Sequence, residues 1–281
     1  MYQSTVRKTL LSLIFIFITV IVLLPYILKN LGLHPDYEGN TFDLSGKKAL
    51  IIATSHGVLN YPGESSGKPS GLASSELTAP YFEFIDANIS VDIASIKGGE
   101  IPVDPQTTSY FVRSSSDKRF YKDAEAVNKL NNSININEID FSVYDIVFLA
   151  GGWGAAYDLG FSDTLAAGIS KAYYSGSIIG AICHGPLGLI NSKDKNGNIL
   201  IAGRKMTGVT DKQVKELNIT MTPLHPEEEL KKAFFNSSSG CNGVIVILSS
   251  LTCLSVTPVI FLPAMRMLPF LSFELINPKG P

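Results

Sequence analysis

The stretch Ser177-Ile-Ile-Gly-Ala-Ile-Cys183-His184-Gly185-Pro186 restricts the fold of this chain more than any other. A run of small and β-branched apolar residues reads as a strand buried on both faces of a parallel sheet. It stops at a cysteine, and Gly185-Pro186 then opens a helix over 187–190. Strand, sharp turn and helix with a nucleophile at the apex is the elbow arrangement, here with sulfur in place of a serine oxygen. Amides at the start of the following helix favour a thiolate at Cys183. The plainer reading makes Cys183 one more small buried residue, as many free cysteines are.

The rest of the chain supplies the sheet this strand needs. Lys48 to Thr54, Ser90 to Ile96 and Tyr144 to Gly152 are further apolar strands, and 76–87, 162–174 and parts of 120–130 have helical character. A loop rich in Gly, Ser and Pro runs from His56 to Ser75. Alternating strands and helices predict an α/β fold with a mainly parallel sheet covered on both faces. In such sheets the chemistry gathers at the carboxyl ends of the strands. Gly152, Cys183 and the loop before Glu76 all fall there.

Those positions suggest roles. His184 can activate the thiol, and Asp211, which follows another short strand, can orient the imidazole. Glu76 can contact the sulfur or act as acid and base, or can merely complement the dipole of its helix. The Gly151-Gly152 turn, with the His184 amide, can hold an oxyanion. Trp153, the chain's one tryptophan, can wall the pocket or pack in the core, and His56 can line the same cleft.

Composition narrows the alternatives. The net charge is −2 with 17% charged residues, so no polyanion such as nucleic acid is an expected partner. Three cysteines, Cys183, Cys241 and Cys253, form no disulfide framework, and no Cys/His cluster suggests a metal. The high mean hydropathy comes from the two ends. Thr9 to Leu28 is twenty residues without a charge, enough to cross about 30 Å of hydrocarbon. Arg7 and Lys8 precede it, which puts the N-terminus in the cytoplasm and the main domain on the extracytoplasmic side. No small-residue cleavage site follows, so an uncleaved anchor over 1–33 is expected, then a tether over 34–47 and a catalytic domain over 48–235. After 235 the chain turns into an apolar, Pro-rich tail over 236–281. A second span there is allowed by hydropathy, but the composition makes a poor helix, and a shifted reading frame or truncation is the expected origin.

From Lys48 to Phe234 the chain resembles the ThiJ/PfpI superfamily, in its glyoxalase III and chaperone/deglycase branch. The resemblance is carried by Thr54-Ser55, Ser74-Ser-Glu76-Leu-Thr-Ala-Pro80-Tyr, Ala94-Ser-Ile-Lys-Gly-Gly99, Pro102-Val-Asp104-Pro105, Leu149-Ala-Gly-Gly152, Ala181-Ile-Cys183-His184-Gly185-Pro186 and Thr207-Gly208. It implies a flavodoxin-like sandwich, a nucleophile at Cys183, its histidine at His184, a sulfur-contacting carboxylate at Glu76 and, in some members, a third residue at the place of Asp211. It further implies cofactor-free conversion of methylglyoxal, a small dicarbonyl, to lactate, and often a homodimer. Many members read Gly-Gly-His-Gly where this chain has Gly151-Gly152-Trp153-Gly154. Cysteine peptidase, membrane-tethered holdase and, with His225-Pro226-Glu227 as a partial motif, glutamine amidotransferase are the alternative functions.

Overall fold

The protein is represented by a computed structural model that describes residues 2–30, 42–204 and 206–235. The expectations placed on 31–41 of the tether and on the 236–281 tail lie outside the described residues. Helix α1 (Tyr2–Asn30) contains the apolar run. Its Thr5–Asn30 segment is long and apolar enough to cross a membrane, and it is not buried against the rest of the protein. Thr9 and Thr19 donate their hydroxyls to the carbonyls of Thr5 and Phe15, one turn earlier. Both hydroxyls are thereby satisfied inside the helix itself.

The sheet is built on β1 (Lys48–Ala53), which pairs in parallel with β4 (Ser90–Ser95) on one side and β6 (Ile146–Leu149) on the other. The edge strands β5 (Ile134–Asn135) and β7 (Ile178–Ala181) complete the order β5-β4-β1-β6-β7. Every pairing in this sheet is parallel. Because strand side chains alternate, Ala49, Ile51 and Ala53 feed one core and Leu50 and Ile52 the other. The first core is closed by Leu77, Phe82 and Phe84 of α2 (Ser74–Asp86), Phe120 of α3 (Ser115–Phe120), and Ala126 and Leu130 of α4 (Ala124–Asn131). The second is closed by Ala155 of α5 (Ala155–Asp158) and Leu165 and Ile169 of α6 (Asp163–Ser175). This is the flavodoxin-like sandwich expected, with the chain switching sides of β1 between β5 and β6.

Two local expectations are corrected. The Gly/Ser/Pro-rich loop contains a small antiparallel pair, β2 (Val58–Leu59) and β3 (Lys68–Pro69). The apolar residues before Asp211 form no strand among the described residues. Leu200 and Ile201 are buried, yet the amides of Leu200, Ala202 and Arg204 bond to Ser192, Ile199 and Ile201, in local turns after a tight Asp194–Asn198 loop. Their amides are satisfied in these turns, so burial is achieved without a ladder.

The start of α2 is held by one carboxylate. Its N-cap is Ala73, which provides no side-chain acceptor. Instead the Ser74 amide donates to Thr107 Oγ1 at 3.0 Å, while Ser74 and Thr78 donate their hydroxyls to Asp117 Oδ1 at 2.6 and 2.7 Å. The other oxygen of the fully buried Asp117 accepts from the amide and hydroxyl of Ser114, which caps α3. Removing this acceptor strands the Thr78 hydroxyl and the Ser114 amide and hydroxyl, and leaves the Ser74 hydroxyl with Tyr121 alone. Asp117→Ala is expected to cost about 3 kcal/mol or more, read as a lowered urea midpoint.

Candidate active site

At the end of β7 the ladder continues one residue further, with the Ile182 amide on the Leu149 carbonyl at 3.2 Å. Cys183 then adopts φ +59°, a left-handed conformation that side-chain-bearing residues rarely hold. The turn closes through the Gly185 amide on the Ile182 carbonyl at 2.7 Å. A Cβ at Gly185 would stand 2.2 Å from the Leu149 carbonyl oxygen, so only glycine fits there. The segment beyond is a 3₁₀ turn, Gly185–Leu189, and not the α-helix expected, since Gly185, Pro186 and Gly188 shorten it. A single tight turn carries little macrodipole, so the surroundings of Cys183 depend more on its neighbours.

Those neighbours are close. Cys183 Sγ lies 3.3 Å from Nδ1 of His184. The imidazole is almost fully buried, leans on the Trp153 indole at 4.7 Å between centroids, and leaves Nε2 without a hydrogen-bond partner. Burial, reinforced by the charge of His225, pushes the His184 imidazole down to about 3. At neutral pH the ring is therefore uncharged and faces the sulfur as a hydrogen-bonding group, not as an imidazolium.

Glu76, third residue of α2, is also buried, and its Oε2 accepts from the Gly151 amide at 2.9 Å. A Cβ on Gly151 would meet both that oxygen, at 2.6 Å, and the His184 amide nitrogen, at 2.7 Å. The glycine is thus the point where carboxylate, elbow and strand end converge. Gly152 follows at φ +92°, and a Cβ there would sit 2.3 Å from the Ala73 amide and from the Gly71 carbonyl. A cavity of about 150 Å³ is lined by Glu76, Gly152, Trp153, Cys183 and His184 and by the apolar Val112, Leu217 and Ile219.

Two expected members stand elsewhere. His56 stacks on Tyr157 at 4.0 Å and directs Nε2 to the Val58 carbonyl and Asn60, away from the residues lining the cavity. Its loop folds back on itself as β2 and β3, which turns the ring outward from the sheet end. Asp211 is the first residue of α7 (Asp211–Glu216), fixed by the Thr210 capping box, and its amide donates to Glu227 Oε2 at 2.7 Å. It lies toward Lys231 of α8 (Pro226–Phe235), while His184 Nε2 has no partner, so no Cys-His-Asp chain is assembled. Glu227 is engaged by Asp211 and Lys231, which leaves the His225-Pro226-Glu227 motif without its amidotransferase geometry, although His225 itself is within electrostatic reach of His184.

The cavity includes residues for which the sequence suggested no role. Asp104 is buried, its carboxylate accepting from the Ser70 hydroxyl at 3.0 Å and the Gln106 amide at 2.9 Å. Thr107 ties this loop to the first amide of α2. Among the described residues no cluster of three or more His, Cys, Asp or Glu is arranged for a metal.

A parallel α/β sandwich with a left-handed cysteine just beyond the edge strand β7 and a buried carboxylate lining the same cavity defines a class of cysteine-elbow proteins. Residues 69–222, more than half of the chain, match the DJ-1/PfpI family, and the chain belongs to it. It is 33% identical over 121 residues, 42% of its length and 54% of the relative's, to a probable glutathione-independent glyoxalase of Schizosaccharomyces pombe. A glutathione-independent glyoxalase of the same organism is 30% identical over 151 residues, 53% of this chain and 61% of that one. The chain therefore spans between half and two thirds of the length of these curated relatives. Among solved structures, the Rapid Encystment Protein 24 KDa of Francisella tularensis is 32% identical with a TM-score of 0.65, covering 73% of this chain and 85% of that one. Glyoxalase III of Candida albicans shares the fold, with a TM-score of 0.59 at 23% identity over 73% of this chain and 84% of that one.

The buried imidazole has a consequence for stability. In the unfolded chain His184 takes up a proton near pH 6.5, whereas the folded site resists it down to about 3. Its contribution is complete above 6.5 and is lost as pH falls, by up to about 1.4 kcal/mol per unit. Asp158, which burial raises to about 6, titrates in the same window with the opposite sign, because there the folded state holds the extra proton. Comparison with His184→Gln cancels that term. The stability advantage of the parent over the variant is expected to shrink steadily between pH 6.5 and 4.5 in urea unfolding followed by Trp153 emission.

Proposed function

We propose that this protein is a glutathione-independent glyoxalase that converts methylglyoxal to lactate through a covalent adduct on Cys183. The observation that carries the reading is Sγ of an elbow cysteine 3.3 Å from a buried imidazole, opening on the same cavity as the Glu76 carboxylate. The relatives named as glyoxalases support it.

In this reading the sulfur adds to the aldehyde carbon. A C–S bond forms, and the thiol proton ends on the new hydroxyl. The amides of Gly152 and His184 stabilise the oxygen as charge builds on it, since the Gly151 amide is committed to Glu76. Glu76 then takes the proton from the former aldehyde carbon, giving an enediol, and returns it to the neighbouring carbon, giving a thioester of lactate. His184 is too weak a base for that transfer and serves by holding the sulfur. Water attacks the thioester, the C–S bond breaks and lactate leaves. One carbon is oxidised by two electrons and its neighbour reduced by two, so no external redox partner enters.

Cys183→Ala is expected to reduce lactate formation to the blank rate. Glu76→Gln, which preserves the acceptor for Gly151, is expected to lower kcat by about 10²- to 10⁴-fold. Lactate formation that survives Cys183→Ala would end the covalent reading.

The chain is further proposed to be attached to a membrane through α1, with the α/β unit on the extracytoplasmic side. The length of the apolar helix and the preceding Arg7 and Lys8 support this. Protease added to intact cells is expected to cleave the α/β unit. Protection until the membrane is breached would reverse the orientation.

A further inference from the structure

We infer that Leu217 and Ile219 form a subsite for the substituent on the oxo carbon, so that neutral α-oxoaldehydes carrying a bulky apolar group are accepted in preference to methylglyoxal. The inference rests on the glyoxalase reading and names its substrate class.

The subsite is built by the end of α7. Asn218 adopts φ +54°, its amide bonds to the Lys215 carbonyl and the next amide, of Ile219, bonds to Val214, both at 3.1 Å. This is the paired 5→2 and 6→1 pattern of a Schellman cap, which reverses the chain at the helix end. The reversal brings the residues on either side of Asn218, Leu217 and Ile219, to the same cavity as Cys183. Leu217 is 46% exposed, which sets it at the mouth. With Val112 they form an apolar and partly exposed part of the lining, in contrast to the buried Glu76 and His184 of the same cavity.

Size and charge point to one kind of ligand. A cavity of about 150 Å³ holds about six heavy atoms, as many as a benzene ring, so the dicarbonyl unit with one small substituent is accommodated whole. Whatever the oxo carbon carries beyond that meets Leu217 and Ile219. A methyl group leaves them in water, whereas an aryl or branched alkyl group covers them and gains the burial. The lining holds two carboxylates, Glu76 and Asp104, and no lysine or arginine, which disfavours substituents bearing negative charge.

The test uses the full chain in lipid vesicles and two unreactive neutral diols, 1-phenyl-1,2-ethanediol and 1,2-propanediol, titrated while the emission of Trp153, the sole tryptophan, is followed. The phenyl compound is expected to bind about tenfold more tightly. Leu217→Ser and Ile219→Ser should each reduce that ratio toward unity, and Leu217→Met should restore it. In turnover, kcat/KM for phenylglyoxal should exceed that for methylglyoxal by a similar factor and respond to the same variants. Equal affinities, no binding of the phenyl diol, or a ratio unmoved by both serine variants overturns the subsite. Lactate formation from methylglyoxal, with and without Cys183, judges the glyoxalase reading separately, because the diol titration requires no turnover.

Discussion

The hydrogen bond from the Gly151 amide to Glu76 is the contact through which the site is assembled, because it joins segments that are far apart in sequence. Gly151 lies two residues beyond β6, Glu76 is in the first turn of α2, and the His184 amide of the elbow packs on the same glycine. No side chain larger than hydrogen can stand there without parting the carboxylate from the elbow. Everything behind the contact fixes its two ends. The β6–β7 register, Leu149 opposite Ala181, sets the height at which Cys183 emerges. The Asp117 network and Thr107 set the start of α2, and Gly152 presses the strand end onto Ala73. Rigid elements hold each member of the polar cluster, which is what a pre-organised site needs.

Much of this was legible in the residues. The apolar runs around Leu50, Ile93, Phe148 and Ile179 announce buried parallel strands, since neither face of such a strand can be polar. Cys183 between an apolar strand and Gly-Pro announces the elbow. Ser162 and Ser114 are helix caps in the structure, with the first visible from sequence as the start of α6. What stayed hidden depended on distant partners. Asp211 follows a Gly-Val-Thr segment that looks like a strand end, yet it opens α7, with its backbone amide donating to Glu227 sixteen residues on. His56 follows β1 as a cleft residue would, yet Tyr157 of α5 offers it a stacking face. Asp104 and Leu217 are unremarkable in sequence because only the folded loops carry them to the cavity.

The two halves of the site also differ in how they are stabilised. The inner half is made of buried polar groups whose bonds are mostly internal, apart from the unpartnered Nε2 of His184. The outer half is made of loop and helix-end residues, Val112, Leu217 and Ile219, whose packing is shared with solvent. Change in the outer half alters few buried hydrogen bonds, whereas change in the inner half leaves charges or donors stranded. A scaffold of this kind can vary what it accepts without rebuilding what reacts.

The left-handed backbone of Cys183 places a further demand on the chain. Glycine would occupy that conformation without the cost of about 1–2 kcal/mol that a Cβ incurs. The Cys183 sulfur therefore sits where stability alone favours having no side chain at all. Drift under selection for a better-folded product would erase the sulfur before it disturbed the sandwich around it. Cys183 thus sets a local cost in stability against the presence of a thiol at the end of the sheet.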